Sequence, residues 1–248
     1  MKTIDLILKD DPEYIQPEDY LRAAGESLFL MLVIGAITSM IFVPEVFKSN
    51  PILERMGYNN FCVGFDMAPA TYFAFPFGIL YVYFSMQFSI YDRLRTVIVG
   101  ERLVPWKKNF SIITNNIYIL SIIGLPLLLL VSPMVSIWAH SLLFLQIVVV
   151  RALVVLANFF EHPNPSKKYS VYVYIYILFS IAGFGFAVAN YVNYDNLIAN
   201  GANVVEPLIP INLARGVDYF WFFLMFLQSI IAEPGEKIYI KYNKVIQF

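Results

Sequence analysis

Apolar residues along this chain occur in runs of about twenty, separated by shorter polar segments. A helix rises about 1.5 Å per residue, so a run of roughly 20 apolar residues crosses the ~30 Å hydrocarbon core of a bilayer. The pattern therefore predicts an all-α, polytopic integral membrane protein with six transmembrane helices. The predicted spans are residues 27–43, 67–91, 112–131, 134–160, 169–192 and 211–232.

The predicted helical domain, residues 27–232, lies between two polar ends. Residues 1–26 form an acidic segment in which Pro17 predicts the start of a short surface helix, because proline is tolerated in a first helical turn. Residues 233–248 form a tail of β-branched and aromatic residues without a helical stripe. Such a segment can add as a strand to the sheet edge of a neighbouring protein.

The distribution of lysine and arginine favours six spans. Six crossings place 13 of the 17 basic residues on the side that holds both termini, and only Lys48, Arg55 and Arg215 on the other. This bias is what the positive-inside rule predicts for termini in the cytoplasm, matrix or stroma. Both termini are therefore expected on the same, positive-inside face.

The composition agrees with a membrane protein. Hydrophobic residues make up 59% of the chain and charged residues 14%, against about half and about a quarter in soluble domains. A net charge of −1 gives no general attraction for nucleic acid. The single cysteine, Cys62, excludes an intrachain disulfide. The acid-rich amino terminus fits neither a secretory signal nor a transit peptide.

The fourth predicted span carries three polar residues, His140, Gln146 and Arg151, which form a possible intramembrane polar face. His140 and Arg151 are about three turns apart, on nearly the same side of a helix. One interpretation is a polar lining for a lipid headgroup, quinone or proton path. The alternative is that Arg151 snorkels or pairs with a partner subunit, while His140 bonds a carbonyl group.

The remaining polar residues give little indication of chemistry. The carboxylates are expected at helix ends, in loops or in tails, which counts against ion-coupled transport. No nucleotide-binding, nucleophile-elbow or zinc-protease motif is present, and His140, His162 and Cys62 show no metal-ligand spacing. We therefore expect no enzyme and no catalytic, cofactor or metal site, with bound phospholipid as the ligand. The possible lipid-headgroup contacts in the basic loop are Arg93, Arg95, Arg102, Lys107 and Lys108.

Three functions are compatible with this sequence. The first is a non-catalytic accessory subunit of a large membrane assembly, such as a respiratory or other energy-converting complex of the mitochondrial inner membrane. Its partners would be other membrane subunits, contacted through the helices and both tails, and membrane lipids. The second is a stand-alone lipid-handling or lipid-sensing protein. The third is a channel or transporter, in which Pro76, Gly124 and Pro126 would mark broken helices.

The second function rests on a resemblance of layout. Six helices, cytoplasmic termini, the charged segment 92–95 after the second span and the acidic Glu233 after the sixth resemble the Frag1/DRAM/Sfk1 group. The resemblance implies a six-span protein that handles or senses lipid. The first-loop signature of that group is absent from this chain.

Overall fold

The computed structural model describes residues 2–8, 14–100, 102–131, 133, 135–202, 204–233 and 235–239. Most of this chain is helical, and two short strands form its sheet. The elements in chain order are α1 (Lys2–Leu8), β1 (Tyr14–Ile15), α2 (Pro17–Phe42), a 3-10 turn (Pro44–Phe47), α3 (Pro51–Met56), a second 3-10 turn (Phe61–Phe65), α4 (Ala70–Val99), α5 (Pro105–Leu130), α6 (Ile137–Glu161), α7 (Lys167–Ala199), α8 (Ile211–Ile231) and β2 (Ile238–Tyr239).

Five helices, α2, α4, α5, α6 and α7, are long and apolar enough to cross a membrane. The shortest of the five full helices, α6, has 25 residues and is therefore about 38 Å long. This length exceeds the ~30 Å hydrocarbon core. The protein is thus an all-helical, multi-pass membrane protein, as predicted. The sixth long helix, α8, has 21 residues and is not among these five.

The six long helices form a closed ring in chain order. Each of α2, α4, α5, α6 and α7 packs against the next, and α8 packs against both α7 and α2. Large aromatic side chains fill the centre, with Tyr81, Phe84, Phe88, Tyr118 and Tyr176 almost fully buried. Isoleucine, leucine and phenylalanine side chains cover much of the outer surface, as expected for helices that face lipid.

The helices are longer than the apolar runs that predicted them. The predicted surface helix at Pro17 is continuous with the first span in α2. Likewise, α4 continues through Asp92 and Arg95 to Val99, so the charged segment that was expected to leave the membrane is helical. Backbone hydrogen bonding does not stop at the edge of an apolar run, because polar turns can extend a helix into the interface.

The segment between α2 and α4 forms a cap over one end of the ring. Ser39 of α2 donates a hydrogen bond to the carbonyl oxygen of Gly64, over 2.8 Å. A Cβ atom at Gly64 would lie only 2.5 Å from the Cα atom of Ala36, so the cap rests directly on the backbone of α2. A second apolar core, around Ile52 and Val63, joins the cap to Tyr191 of α7.

The two terminal segments are tied to the bundle. In α1, the Thr3 backbone N–H donates to Glu26 of α2 over 3.1 Å. The strands β1 and β2 pair antiparallel, with Tyr14 opposite Tyr239 and Ile15 opposite Ile238. The sequence suggested that the tail adds to a neighbour's sheet, whereas residues 238–239 pair within this chain. The rest of the tail, 240–248, lies outside the described residues.

Candidate functional site

Helix α6 carries a stripe of polar side chains that faces the interior of the ring. Its members His140, Arg151, Asn158 and Glu161 are all buried. Their spacings of eleven, seven and three residues return to one side of a helix with about 3.6 residues per turn. Gln146 is only partly buried and lies beside Gly124 of α5. The structure therefore brings His140 and Arg151 to a common face and leaves Gln146 on another.

Arg151 lies at the middle of this stripe and is fully buried. Its Nη1 atom donates to the Tyr118 hydroxyl of α5 over 3.2 Å. Its Nη2 atom donates to Gln228 Oε1 of α8 over 2.6 Å and, at 3.4 Å, to the carbonyl oxygen of Leu21 in α2. One guanidinium thus connects α6 to three other helices. We refer to Arg151, Tyr118, Gln228 and Tyr81 as the Arg151 centre.

Aromatic groups complete the Arg151 centre. The Arg151 guanidinium carbon lies 5.8 Å from the centre of the Tyr81 ring, within the range of a cation–π interaction. The Tyr81 and Tyr118 hydroxyls are 3.2 Å apart, and Tyr118 donates to Ser85 over 3.0 Å. Hydroxyl, amide and carbonyl dipoles therefore solvate the two Nη atoms of the buried arginine, while its Nε has no hydrogen-bond partner among the described residues.

A second buried centre surrounds Arg95 at the end of α4. Its Nη1 donates to Glu18 Oε1 over 2.5 Å, and its Nε donates to Glu161 Oε2 over 3.3 Å. Its Nη2 donates to Asp92 and, over 2.9 Å, to Asn158 Oδ1. We call these five residues the Arg95 cluster. It joins α2, α4 and α6, and every member is buried.

The Arg95 cluster contains three carboxyl groups and one guanidinium. Neutral donors offset part of this excess, since Asn115 Nδ2 donates to Asp92 over 2.6 Å and the Thr96 hydroxyl donates to Glu161 over 2.5 Å. The segment after α8 covers the cluster. A Cβ atom at Gly235 would lie 2.5 Å from Arg95 Nη1, so only a glycine lets the backbone approach so closely.

A third polar site, the pair formed by His140 and Asp66, lies toward the opposite end of α6. His140 Nε2 is 3.1 Å from Asp66 Oδ1, and both side chains are 3% exposed. His140 Nδ1 lies 2.7 Å from the Val131 carbonyl oxygen, which can only accept a hydrogen bond. Nδ1 must therefore carry a proton. In a neutral histidine Nε2 then has none, so a hydrogen bond between Nε2 and the Asp66 carboxyl group requires a second proton on one of these two residues. Burial raises the pKa of Asp66, while the interaction with His140 opposes the increase.

Two small cavities lie at this end of the ring, and one of them borders His140. One, of about 30 Å³, is lined by Met56, Cys62, His140, Ser141 and Tyr191, among other residues. Another, of about 40 Å³, lies between Tyr58, Asp218 and Trp221. Each is large enough for one or two water molecules. The described interior at this end is thus mainly apolar, with a few polar groups and room for water beside them.

The five predicted headgroup contacts fall into different settings. Arg95 was expected at the lipid surface, but it is 3% exposed because three carboxylates hold it inside the bundle. Arg93 is exposed and donates to Asn116 over 3.0 Å. Lys108 lies beside Gly100 at the end of α4. Arg102 and Lys107 line a cleft.

This cleft has a volume of about 240 Å³ and is also lined by Glu161, His162 and Glu236. Arg102 Nη1 is 2.7 Å from Glu236 Oε1, so the carboxy-terminal segment closes one side. Lys107 Nζ lies 5.3 Å from the centre of the Phe160 ring. His162 is the C-cap residue of α6, and its Nε2 is 4.0 Å from Glu233 Oε2.

Sequence reasoning missed the Arg95 cluster. Glu18, Asp92 and Glu161 belong to three helices and are far apart in the chain, so no local motif contains them. The available signal was their common position near helix ends. Among the described residues, no group of three or more histidine, cysteine, aspartate or glutamate side chains has a geometry that could hold a metal ion.

In comparisons with known proteins, no family model matches this chain, and no curated protein or solved structure matches it significantly.

Proposed function

We propose that this protein is a non-catalytic accessory subunit of a larger membrane assembly, in which its helical ring acts as a scaffold. The Arg151 centre carries the proposal. Its guanidinium is engaged with α2, α5 and α8, so it links helices in one fixed arrangement. The Arg95 cluster links α2, α4 and α6 in the same way. Buried polar groups of this kind are suited to hold one packing arrangement.

Six membrane crossings are part of the proposal, with α8 as the sixth. The strand β1 precedes α2, and β2 follows α8, yet the two strands are hydrogen-bonded to each other. An even number of crossings between them satisfies this pairing, and α8 brings the five candidate spans to six. Its place in the ring between α7 and α2 supports the same count.

The proposed orientation puts both termini on the positive-inside face. The excess of lysine and arginine on that side supports it. Single cysteines in a Cys62→Ser background can test the topology with a membrane-impermeant maleimide. The variants Lys48→Cys and Val204→Cys should react with the maleimide from one side of the membrane. The variants Lys168→Cys and Lys237→Cys should react from the other side. If the Lys237→Cys and Val204→Cys variants were labelled from the same side, α8 would not cross the membrane.

Partner subunits would bind the apolar outer faces and the tails. An energy-converting complex of the mitochondrial inner membrane is our preferred host, because such assemblies contain many subunits without catalytic motifs; this support is an analogy. Extraction in mild detergent, followed by a native gel and mass spectrometry, tests the proposal. We expect a high-mass band with fixed partners. Migration as a monomer or dimer would rule out the accessory role.

The basic cleft favours lipid handling as a second candidate function. Arg102 and Lys107 face a volume of about 240 Å³, and Lys107 lies over aromatic rings of the kind found at membrane interfaces. Flotation with anionic vesicles tests this candidate. Arg102→Gln together with Lys107→Gln should weaken binding, whereas Lys48→Gln, which removes a charge predicted to lie on the opposite side of the membrane, should not.

A further inference from the structure

A long apolar groove runs between α7 and α8 on the outside of the ring. Its volume is about 530 Å³, and its lining is almost entirely apolar. Val171 and Tyr172 of α7 and Phe220, Leu224 and Ile231 of α8 are part of this lining, and Lys167 and Lys168 lie at one end. The Tyr172 hydroxyl donates to the Leu224 carbonyl oxygen over 3.0 Å. This bond crosses the floor of the groove and fixes the separation of the two helices there.

The length of the groove corresponds to one leaflet of a bilayer. From Phe220 to Ile231 the axis of α8 rises about 16 Å, which is roughly half of the ~30 Å hydrocarbon core. A groove of this length can hold the acyl chain of a lipid from one leaflet.

The charged end of the groove is basic. Lys167 and Lys168 are exposed in the first turn of α7, where the helix dipole also favours a negative group. Glu233 lies close to these lysines, since its Oε2 accepts from the Ser166 backbone N–H over 2.9 Å and its charge interacts with Lys168. Two lysines against this one carboxylate leave a net positive charge at this end of the groove. The lysines lie on the face that carries most of the basic residues, where basic side chains attract the headgroups of anionic lipids.

We propose that this groove binds one anionic phospholipid, with an acyl chain along α7 and α8 and its phosphate at Lys167 and Lys168. A phospholipid fits both parts of the site, since the same molecule has a long apolar chain and an anionic headgroup. A second copy of this chain would have to bring an acidic group to the lysines and an apolar ridge to the groove. The proposal goes beyond the accessory role, because this lipid site is formed by the chain itself and requires no partner subunit.

The experiment measures retained lipid on the full-length protein. The protein is purified in mild detergent, supplied with either phosphatidylglycerol or phosphatidylcholine, and analysed by native mass spectrometry. We expect one phosphatidylglycerol to be retained in preference to phosphatidylcholine. Lys167→Gln with Lys168→Gln should reduce its retention by roughly tenfold or more. Lys48→Gln with Arg215→Gln removes two exposed charges away from the groove, on the side predicted to lie opposite, and should leave retention unchanged.

A groove-filling variant tests the acyl-chain half of the site. Val171 is 48% exposed at the edge of the groove, whereas Leu178 is 62% exposed on α7 and outside it. Val171→Trp should abolish retention, and Leu178→Trp should preserve it, with circular dichroism confirming that both variants fold. Equal retention of the two lipids, no effect of the lysine or Val171 variants, or a dimer in place of the lipid adduct would overturn the proposal. Loss of the native high-mass complex alone would contradict only the accessory role.

Discussion

Arg151 of α6 and Gln228 of α8 are joined by a hydrogen bond of 2.6 Å in the buried interior. This contact connects α8, the long helix that is not among the five candidate spans, to the fully buried guanidinium of Arg151. A buried arginine that lost its partners would be costly, so the position of α8 and the charge of Arg151 depend on each other.

Replacement of Arg151 by leucine should destabilise the bundle. The substitution leaves the buried Gln228 amide and the Leu21 carbonyl without this donor, and each unsatisfied group costs about 1–3 kcal/mol. We expect the free energy of unfolding to fall by about 2–4 kcal/mol. Thermal or denaturant unfolding in detergent measures it.

The double variant Arg151→Leu with Gln228→Leu is the control for this interpretation. Removal of both partners should restore part of the lost stability, with a coupling of about 1 kcal/mol or more. Strictly additive losses would mean that the 2.6 Å contact contributes nothing.

Replacement of Arg95 by leucine should have a large effect, because Glu18, Asp92 and Glu161 would lose their common cation. Removal of one partner from a buried ion pair typically costs about 3–5 kcal/mol. Arg93→Leu, two residues away and exposed, should change stability by about 0.5 kcal/mol or less. Comparable losses in unfolding measurements of the two variants would contradict the structure of the Arg95 cluster.

Replacement of Gly64 by alanine should loosen the cap over the ring. The added methyl group would meet the backbone of Ala36 at 2.5 Å, and overpacking of this kind costs about 1–3 kcal/mol. Gly185→Ala is the matched control, since nothing lies within 4 Å of its Cβ position. We expect a lower melting temperature for the first variant and an unchanged or higher one for the second.

Asp66 should make stability depend on pH. Its pKa is raised in the folded protein, chiefly by burial and against the opposing effect of His140. The folded state therefore holds the Asp66 proton more tightly than the unfolded state does. The corresponding stability is fully present below the ordinary aspartate pKa and is lost as the pH rises through the raised value.

Asp66→Asn cannot titrate and should remove this contribution. Melting temperatures measured from pH 4 upward should fall less steeply for the variant than for the parent protein. Parallel curves would show that Asp66 is not buried beside His140.

Cys62 should resist modification in the folded protein. Its side chain is 3% exposed, and burial raises the pKa of its thiol, which suppresses the reactive thiolate. A membrane-permeant maleimide should label it only after denaturation in detergent. Rapid labelling in native membranes would contradict the packing of the second 3-10 turn.

The apolar runs by themselves determined that this chain is helical and crosses a membrane. Hydrocarbon offers no partner to backbone N–H and C=O groups, so a run of about twenty apolar residues must bond internally as a helix. The ends of these helices were less accessible to this reasoning, because polar turns such as Asp92 to Arg95 extend α4 beyond the apolar run. The sequence also indicated that Arg151 and His140 share one side of α6, since helical periodicity alone places them there.

Only the tertiary structure decided which polar groups meet. Glu18, Asp92 and Glu161 come together because α2, α4 and α6 converge at one end of the ring, and His140 meets Asp66 because the segment before α4 folds over the other end. The strand pairing of Tyr14 with Tyr239 likewise joins residues from opposite ends of the chain. Such contacts depend on how helices are placed around one another, and apolar periodicity along one helix carries no information about that placement.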